Sequence, residues 1–157
     1  MTTEPYTLAE LAAQEELLQF TRFDNDDALE LGSRLVQAAR AIDAPVAIDI
    51  SRNGHVLFHV ALPGATPDND GWIARKSRVV QRFGRSSLYV RTQCELDGTS
   101  LEETYGLDPS EYAAHGGAFP IMIRNVGPIG IVVVSGLPQL EDHKLVTDTI
   151  GAFLSEQ

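Results

Sequence analysis

The chain has 157 residues, the length of one ordinary domain, with 43% hydrophobic and 22% charged residues, so it can bury a core without disulfide or metal staples. Acidic residues outnumber basic ones 22 to 12. The resulting formal charge of −10 excludes a general affinity for nucleic acid or anionic membranes, both of which need positive surface.

Thr7-Leu8-Ala9-Glu10 has the spacing of a capping box and predicts a helix to about Leu18, with Leu8, Leu11 and Leu18 inward. A second helix is expected from near Asn25, with Asp26 and Asp27 at its positive end. Ala28, Leu31, Leu35, Ala39 and Ile42 are its apolar stripe, and it ends before Pro45. Residues 46–62 alternate as a hairpin. A three-residue loop, Arg52-Asn53-Gly54, would pair Ile50 with Val56 and Ile48 with Phe58, keeping the apolar residues on one face. Asp49, Ser51, His55 and His59 then share the other face.

A helix follows from about Asp70 to Phe83, broken near Gly84, and Ser86 or Ser87 caps another through Glu95. Short helical pieces are expected at 100–106 and 109–114, then a loop over His115–Pro120. Ile121–Arg124 and Ile129–Ser135 pair around Val126-Gly127-Pro128. The second of these strands is apolar on both sides and reads as central and covered on both faces. A last helix begins near Pro138 and turns Leu145, Val146, Ile150 and Phe153 inward. Helices around two tightly connected strand pairs predict an α+β fold, an antiparallel β-sheet flanked by helices.

Cys94 is the only cysteine, which rules out an intrachain disulfide and fits a reducing cytosol. Met1–Pro5 has neither the basic start nor the apolar run of a secretory leader, and no stretch approaches the length of a membrane span. A cytoplasmic location is therefore expected.

Charge is unevenly placed. Residues 71–91 hold six bases and no acid, between flanks that each carry a net −8. On a helix, Arg75, Arg78, Arg82 and Arg85 share one stripe, which reads either as a solvated, ion-paired face or as an anion site, since guanidinium forks match carboxylate and phosphate. Lys76 falls within the apolar stripe of Trp72, Val79 and Phe83. Its amine either snorkels to the rim or enters a pocket to pair with an anion. His55 and His59 lie about 13 Å apart at strand rise and cannot share one metal ion. The adjacent glycines after His115 permit close backbone approach and anion-facing N–H groups. His143, beside Asp142 near the start of the last helix, reads either as exposed or as sharing a cleft with the glycine loop. No phosphate loop, dinucleotide fingerprint, zinc motif or nucleophile elbow is present, so no catalytic residue or metal site is assigned.

His115-Gly116-Gly117-Ala118-Phe119-Pro120, followed by Gly127-Pro128-Ile129-Gly130 and Val134-Ser135-Gly136-Leu137, resembles the GlcG/HbpS-like family, often labelled haem-degrading domain. Trp72, Arg75-Lys76, Arg82-Phe83-Gly84, Ser86-Ser87 and Pro138 with Glu141-Asp142-His143 resemble its small bacterial and fungal branch. The resemblance runs over residues 26–155 and leaves 1–24 as an N-terminal helical extension of a single domain spanning 1–157. It implies a profilin-like outline, homo-oligomers, and members that bind or degrade haem. It also matches Lys76 to the lysine of the family's central helix and Gly116-Gly117 to its glycine loop, with a ligand cleft between them. The chain departs after Ser135-Gly136, where many relatives continue with another small residue, so the iron ligands of the better-known branch do not transfer.

The expectation is a cytosolic homo-oligomer that binds a small anionic ligand, with haem or another tetrapyrrole the cofactor implied by resemblance. Lys76, Arg75 and Arg82 would hold carboxylates, Gly116 and Gly117 would supply backbone donors, and His115, His55 or His59 would ligate iron. The rival is an oligomeric interaction module without ligand or catalysis, in which the arginine stripe meets acidic protein surfaces.

Overall fold

Short polar side chains start the helices. In α1 (Leu8–Leu17) the Thr7 hydroxyl accepts from Glu10 N at 3.1 Å, and the Glu10 carboxylate accepts from Thr7 N at 2.9 Å. Asp24 and Asp27 repeat the arrangement at the start of α2 (Asn25–Ala41), both bonds 2.9 Å. After the hairpin of β1 (Ala47–Arg52) and β2 (His55–Ala61), α3 (Pro67–Phe83) takes proline at its first position and stops at Gly84, whose φ of 66° is left-handed. Ser86 caps α4 (Ser87–Asp97), and the short α5 (Leu101–Tyr105) follows. β3 (Ala118–Ile123), β4 (Gly127–Ser135) and α6 (Gln139–Ser155) complete the chain. This computed structural model describes residues 5–157; Met1–Glu4, read above for a leader, lie outside the described residues. No helix among the described residues is long and apolar enough to cross a membrane.

The four strands form one antiparallel sheet in the order β2-β1-β4-β3, so the fold is α+β as expected, with β4 an interior strand. Its two faces differ in kind. One presents Ile48, Ile50, Val132, Val134, Phe119 and Ile121 to α2 and α6 and forms the main core. The other is covered by α3, where Ile73 and Val80 meet Ala47, Ala118 and Val133. The edge of β3 is partly occupied by Phe20, whose N–H donates to Met122 O.

The hairpin differs from the expected register. Asn53 and Gly54, with φ of 51° and 82°, make a two-residue turn, so Arg52 faces His55 and Ser51 faces Val56. A bulge at Leu57 then shifts the ladder, and Ile50 pairs with Phe58 and Ile48 with Val60. The bulge keeps Phe58 and Val60 on the face of Ile48 and Ile50 but turns Val56 to the other face, beside Ser51. One consequence is that His55 no longer shares a face with Asp49, Ser51 and His59. Three smaller differences follow from local chemistry. Residues 109–114 form a turn where a helical piece was expected, the β3–β4 loop is Arg124-Asn125-Val126 with Asn125 left-handed, and Ile42 is 61% exposed beyond the end of α2.

Gly32 on α2 lets the helix lie against Phe58 of β2: a Cβ there would stand 2.5 Å from the ring. Gly32→Ala is expected to lower stability by about 1–3 kcal/mol through overpacking. The loss should be smaller when Phe58→Leu is introduced with it. Urea unfolding of the single and double variants measures both.

Candidate functional site

The aromatic and small residues of α3 set its site-facing side, and the anomaly among them is Lys76. It is 2% exposed. Its Nζ donates to Val134 O at 2.7 Å and Gly116 O at 3.0 Å, and lies 3.4 Å from Asp142 Oδ2. The Asp142 carboxylate also accepts from Leu137 N at 3.0 Å and Gly136 N at 3.4 Å. The amine therefore joins α3 to the end of β4, the loop before β3 and the first turn of α6. Burial pushes the Asp142 carboxyl up to about 6, against the pull of Lys76 and the two N–H groups, and burial pushes the Lys76 ammonium down. Gly117, at φ +128°, has no room for a side chain: its Cβ would stand 2.5 Å from both Lys76 Nζ and Val134 O. Gly116 donates its N–H to Gln139 Oε1 at 3.1 Å.

Two adjoining cavities lie outside this junction. The inner one, about 260 Å³, is bordered by Lys76, Gly116, Asp142, Gln139, Trp72 and His115. The outer one, about 430 Å³, is bordered by Trp72 and His115 again, with Arg75, Arg91, Leu101 and Tyr112. Trp72 and His115 are thus the shared wall, their rings edge to face at 5.1 Å. The Arg75 guanidinium stacks on Trp72 at 4.0 Å. Arg91, one turn before Glu95 and paired with it at 2.8 Å, brings Nη1 to 3.4 Å from His115 Nε2. A guanidinium has only donors, so the lone pair of the ring must be on Nε2 and its proton on Nδ1. That Nδ1 is buried and has no partner among the described residues. Burial, then Arg91, Lys76 and Arg75, push the imidazole down and keep it neutral.

The structure thus gathers Lys76, Arg75, His115, Gly116 and Gly117 into one region. The remaining residues singled out in the sequence lie elsewhere. Arg82 is exposed beside Phe83 and borders neither cavity, because Gly84 ends α3 one turn past the cleft. Arg85 lies beyond that break and pairs with Glu15 of α1 at 2.8 Å, so the arginine stripe does not extend to it. Arg78 donates to Glu111 O. His55 is exposed near the hairpin tip, and His59 faces a separate groove. His143 corrects the expectation of exposure: it is 1% exposed, Nε2 is 2.8 Å from Gln14 Oε1 of α1, and burial pushes its imidazole down to about 4. No group of three His, Cys, Asp or Glu side chains suited to a metal occurs among the described residues. Arg91 and Asp142 enter the site although sequence reasoning gave neither a role there. The signal for Arg91 was its place in the six-base segment; Asp142 was legible only as part of a motif.

Known proteins agree with this architecture. A family model described as haem degrading protein HbpS-like matches residues 23–150. The chain is 56% identical over 158 residues to a UPF0303 protein of Streptomyces coelicolor, covering 99% of this chain and 100% of that one. It is 51% identical to one from Edwardsiella ictaluri, covering 94% of each. Among solved structures, the Ybr137w protein aligns with a TM-score of 0.89 at 38% identity, covering 98% of this chain and 90% of that one. A PduOC–haem complex aligns at a TM-score of 0.68 and 20% identity, covering 83% and 94%, and shows the likeness of fold. The sheet and its flanking helices are those of an HbpS-like α+β protein. The chain belongs to the HbpS-like family.

Lys76→Met would leave the Asp142 carboxylate buried without its cation and is expected to cost about 3–5 kcal/mol in urea unfolding. The neighbouring buried pair gives a pH signature. Asp142 is raised to about 6 from an ordinary 3.8, so its contribution to stability is present below 3.8 and lost as pH rises through 6. His143 is depressed to about 4 from 6.5, so its contribution is present above 6.5 and lost as pH falls through 4. The two oppose each other in one window. Relative to the wild-type profile, melting temperature between pH 4 and 6.5 should tilt downward with rising pH in His143→Gln and upward in Asp142→Asn.

Proposed function

We infer that the chain is a cytosolic homo-oligomer that binds a small anionic ligand, a tetrapyrrole such as haem in this family, in the cleft walled by Trp72 and His115. The observation that carries this reading is the place of His115 on the cavity wall, Nε2 3.4 Å from Arg91 Nη1 and Nδ1 buried without a partner among the described residues. Apolar walls from Trp72, Leu101 and Tyr112, two guanidinium groups at the rim and an imidazole lone pair are the chemistry an iron tetrapyrrole with carboxylate arms needs. A structural neighbour described as a complex with haem supports it further. Bound haem would supply a redox-active iron. The chain's part is to hold carboxylates with Arg75 and Arg91, to offer Nε2 of His115 as an iron ligand once Arg91 turns outward, and to keep that ring neutral. Lys76 contributes charge from behind the inner cavity and fixes the Gly116-Gly117 backbone against which the ligand would rest. In this reading Arg82, His55 and His59 have no contact with the ligand.

Titration with haem, followed by absorbance, is expected to give a saturable Soret shift. His115→Ala should change the band position as the axial ligand is lost. Arg75→Ala and Arg91→Ala should each weaken binding about tenfold through loss of a charge-assisted bond. No Soret shift, or a shift indifferent to all three substitutions, overturns the reading.

A further inference from the structure

The α3-covered face of the sheet changes character along a single cross-strand row. From edge to edge the row reads His59 on β2, Asp49 on β1, Val133 on β4 and Ala118 on β3. α3 covers the apolar half, through Ile73 and Val80, and leaves the polar half uncovered. What remains is a groove of about 470 Å³ between the outer side of α3 and the β1–β2 hairpin, separate from the Trp72–His115 cleft. Asp49 is an anomaly there. Its side chain is only 14% exposed, on a row whose other half is core, and burial pushes its carboxyl up. A position of this kind is normally apolar, and a charged residue held there needs a reason beyond packing.

The groove gathers its charge from three elements. Asp49 Oδ2 lies 2.8 Å from His59 Nδ1, and Asp70, in the first turn of α3, brings Oδ1 to 3.3 Å from His59 Nε2. Both ring nitrogens thus face carboxylates. The cluster sets two carboxylates against at most one cationic ring. Hydroxyls of Ser51 and Ser77 and the amide of Gln81 add acceptors, and Val56, 53% exposed, offers an apolar surface beside them. The unmatched negative charge, the acceptors and the apolar wall together call for a cation carried on a short carbon chain.

We propose that this groove is a second ligand site, for a protonated primary amine on a short aliphatic chain, with Asp70 and Asp49 as its anionic anchors. The ammonium takes over the Asp70 side of the bridge, Ser77 accepts from it, and the carbon chain lies along Val56. The site uses no residue of the Trp72–His115 cleft, and its charge preference is the opposite one.

The test is titration of the whole protein with 1,4-diaminobutane and, as the uncharged counterpart of the same skeleton, 1,4-butanediol, reading the ring signals of all four histidines by NMR. The expected result is a saturable shift of the His59 signals by the diamine, no saturable shift by the diol, and unmoved His115 signals. Asp70→Asn, at a half-exposed position, should keep the fold and weaken the diamine about tenfold. Asp49→Asn should do the same, with the melting temperature reporting whether it stays folded. Equal responses to diamine and diol, no saturable response, or diamine binding that survives Asp70→Asn overturns the proposal. A His59 signal that changes on dilution of the protein and ignores the diamine assigns the groove to a second copy of the chain and overturns it equally.

Discussion

A single ammonium group holds the working end of this molecule together. Lys76 reaches from the middle of α3 through the apolar layer and ends among Val134 O, Gly116 O and Asp142. Each of these belongs to a different segment, so one group ties three parts of the chain to α3. Desolvating the amine and the carboxylate is costly, and burial pushes both toward neutrality. The arrangement is tolerated because the pair is not alone. Two backbone carbonyls complete the shell of the amine, and two backbone N–H groups complete that of the carboxylate. The glycines follow from it. Gly117 has no side chain because the amine and the Val134 carbonyl already occupy that volume. The cleft beside Trp72 inherits its shape from this knot, since the loop that the amine holds is the one that ends in His115.

The sheet explains why one protein has two dissimilar recesses. Its inner face is uniformly apolar and takes two helices, α2 and α6. Its outer face takes only α3, and a single helix about 10 Å across cannot cover four strands. The helix settles over β3 and β4, reaches β1 at Ala47, and leaves a groove along the rest of the hairpin and the first half of β4. The cationic cleft lies on one flank of α3, where Arg75 and His115 sit, and the acidic groove on the other, where Asp70 does. One helix thus separates opposite charge environments, contributing Arg75 to one and Asp70 to the other.

How much of this could be read from the chain depends on the range of the interaction involved. The capping box at Thr7 was legible because both partners lie within four residues, whereas at the second helix only the acids Asp26 and Asp27 were read, not the box that Asp24 makes with Asp27. The order of elements and the interior place of β4 followed from periodicity. The hairpin register was not legible, because a bulge at Leu57 has no composition signature and puts Phe58 and Val60 opposite Ile50 and Ile48 at the cost of exposing Val56. Lys76 was legible as an anomaly in an apolar stripe, but its partner Asp142 stands 66 residues away, and no local pattern joins them. His143 was misplaced for the same reason. What buries it is α1, more than a hundred residues earlier, through Gln14 and Tyr6.

The net charge of −10 takes on a different meaning once the partners are known. The six bases between residues 71 and 91 are not a free cationic surface. Lys76, Arg85 and Arg91 are each paired with an acid, from α6, α1 and α4 respectively, and Arg78 is spent on a backbone carbonyl. Arg75 is committed to the face of Trp72, an interaction that orients its guanidinium without neutralising it. Arg91, though paired, keeps an edge turned to His115. An anion approaching this otherwise acidic protein therefore meets positive potential chiefly where these two arginines converge. Arg82, exposed and away from both cavities, is the member of the segment best placed to meet a partner's acidic surface. The ligand and interaction readings of the basic segment thus need not compete, since they would draw on different residues of α3 and α4.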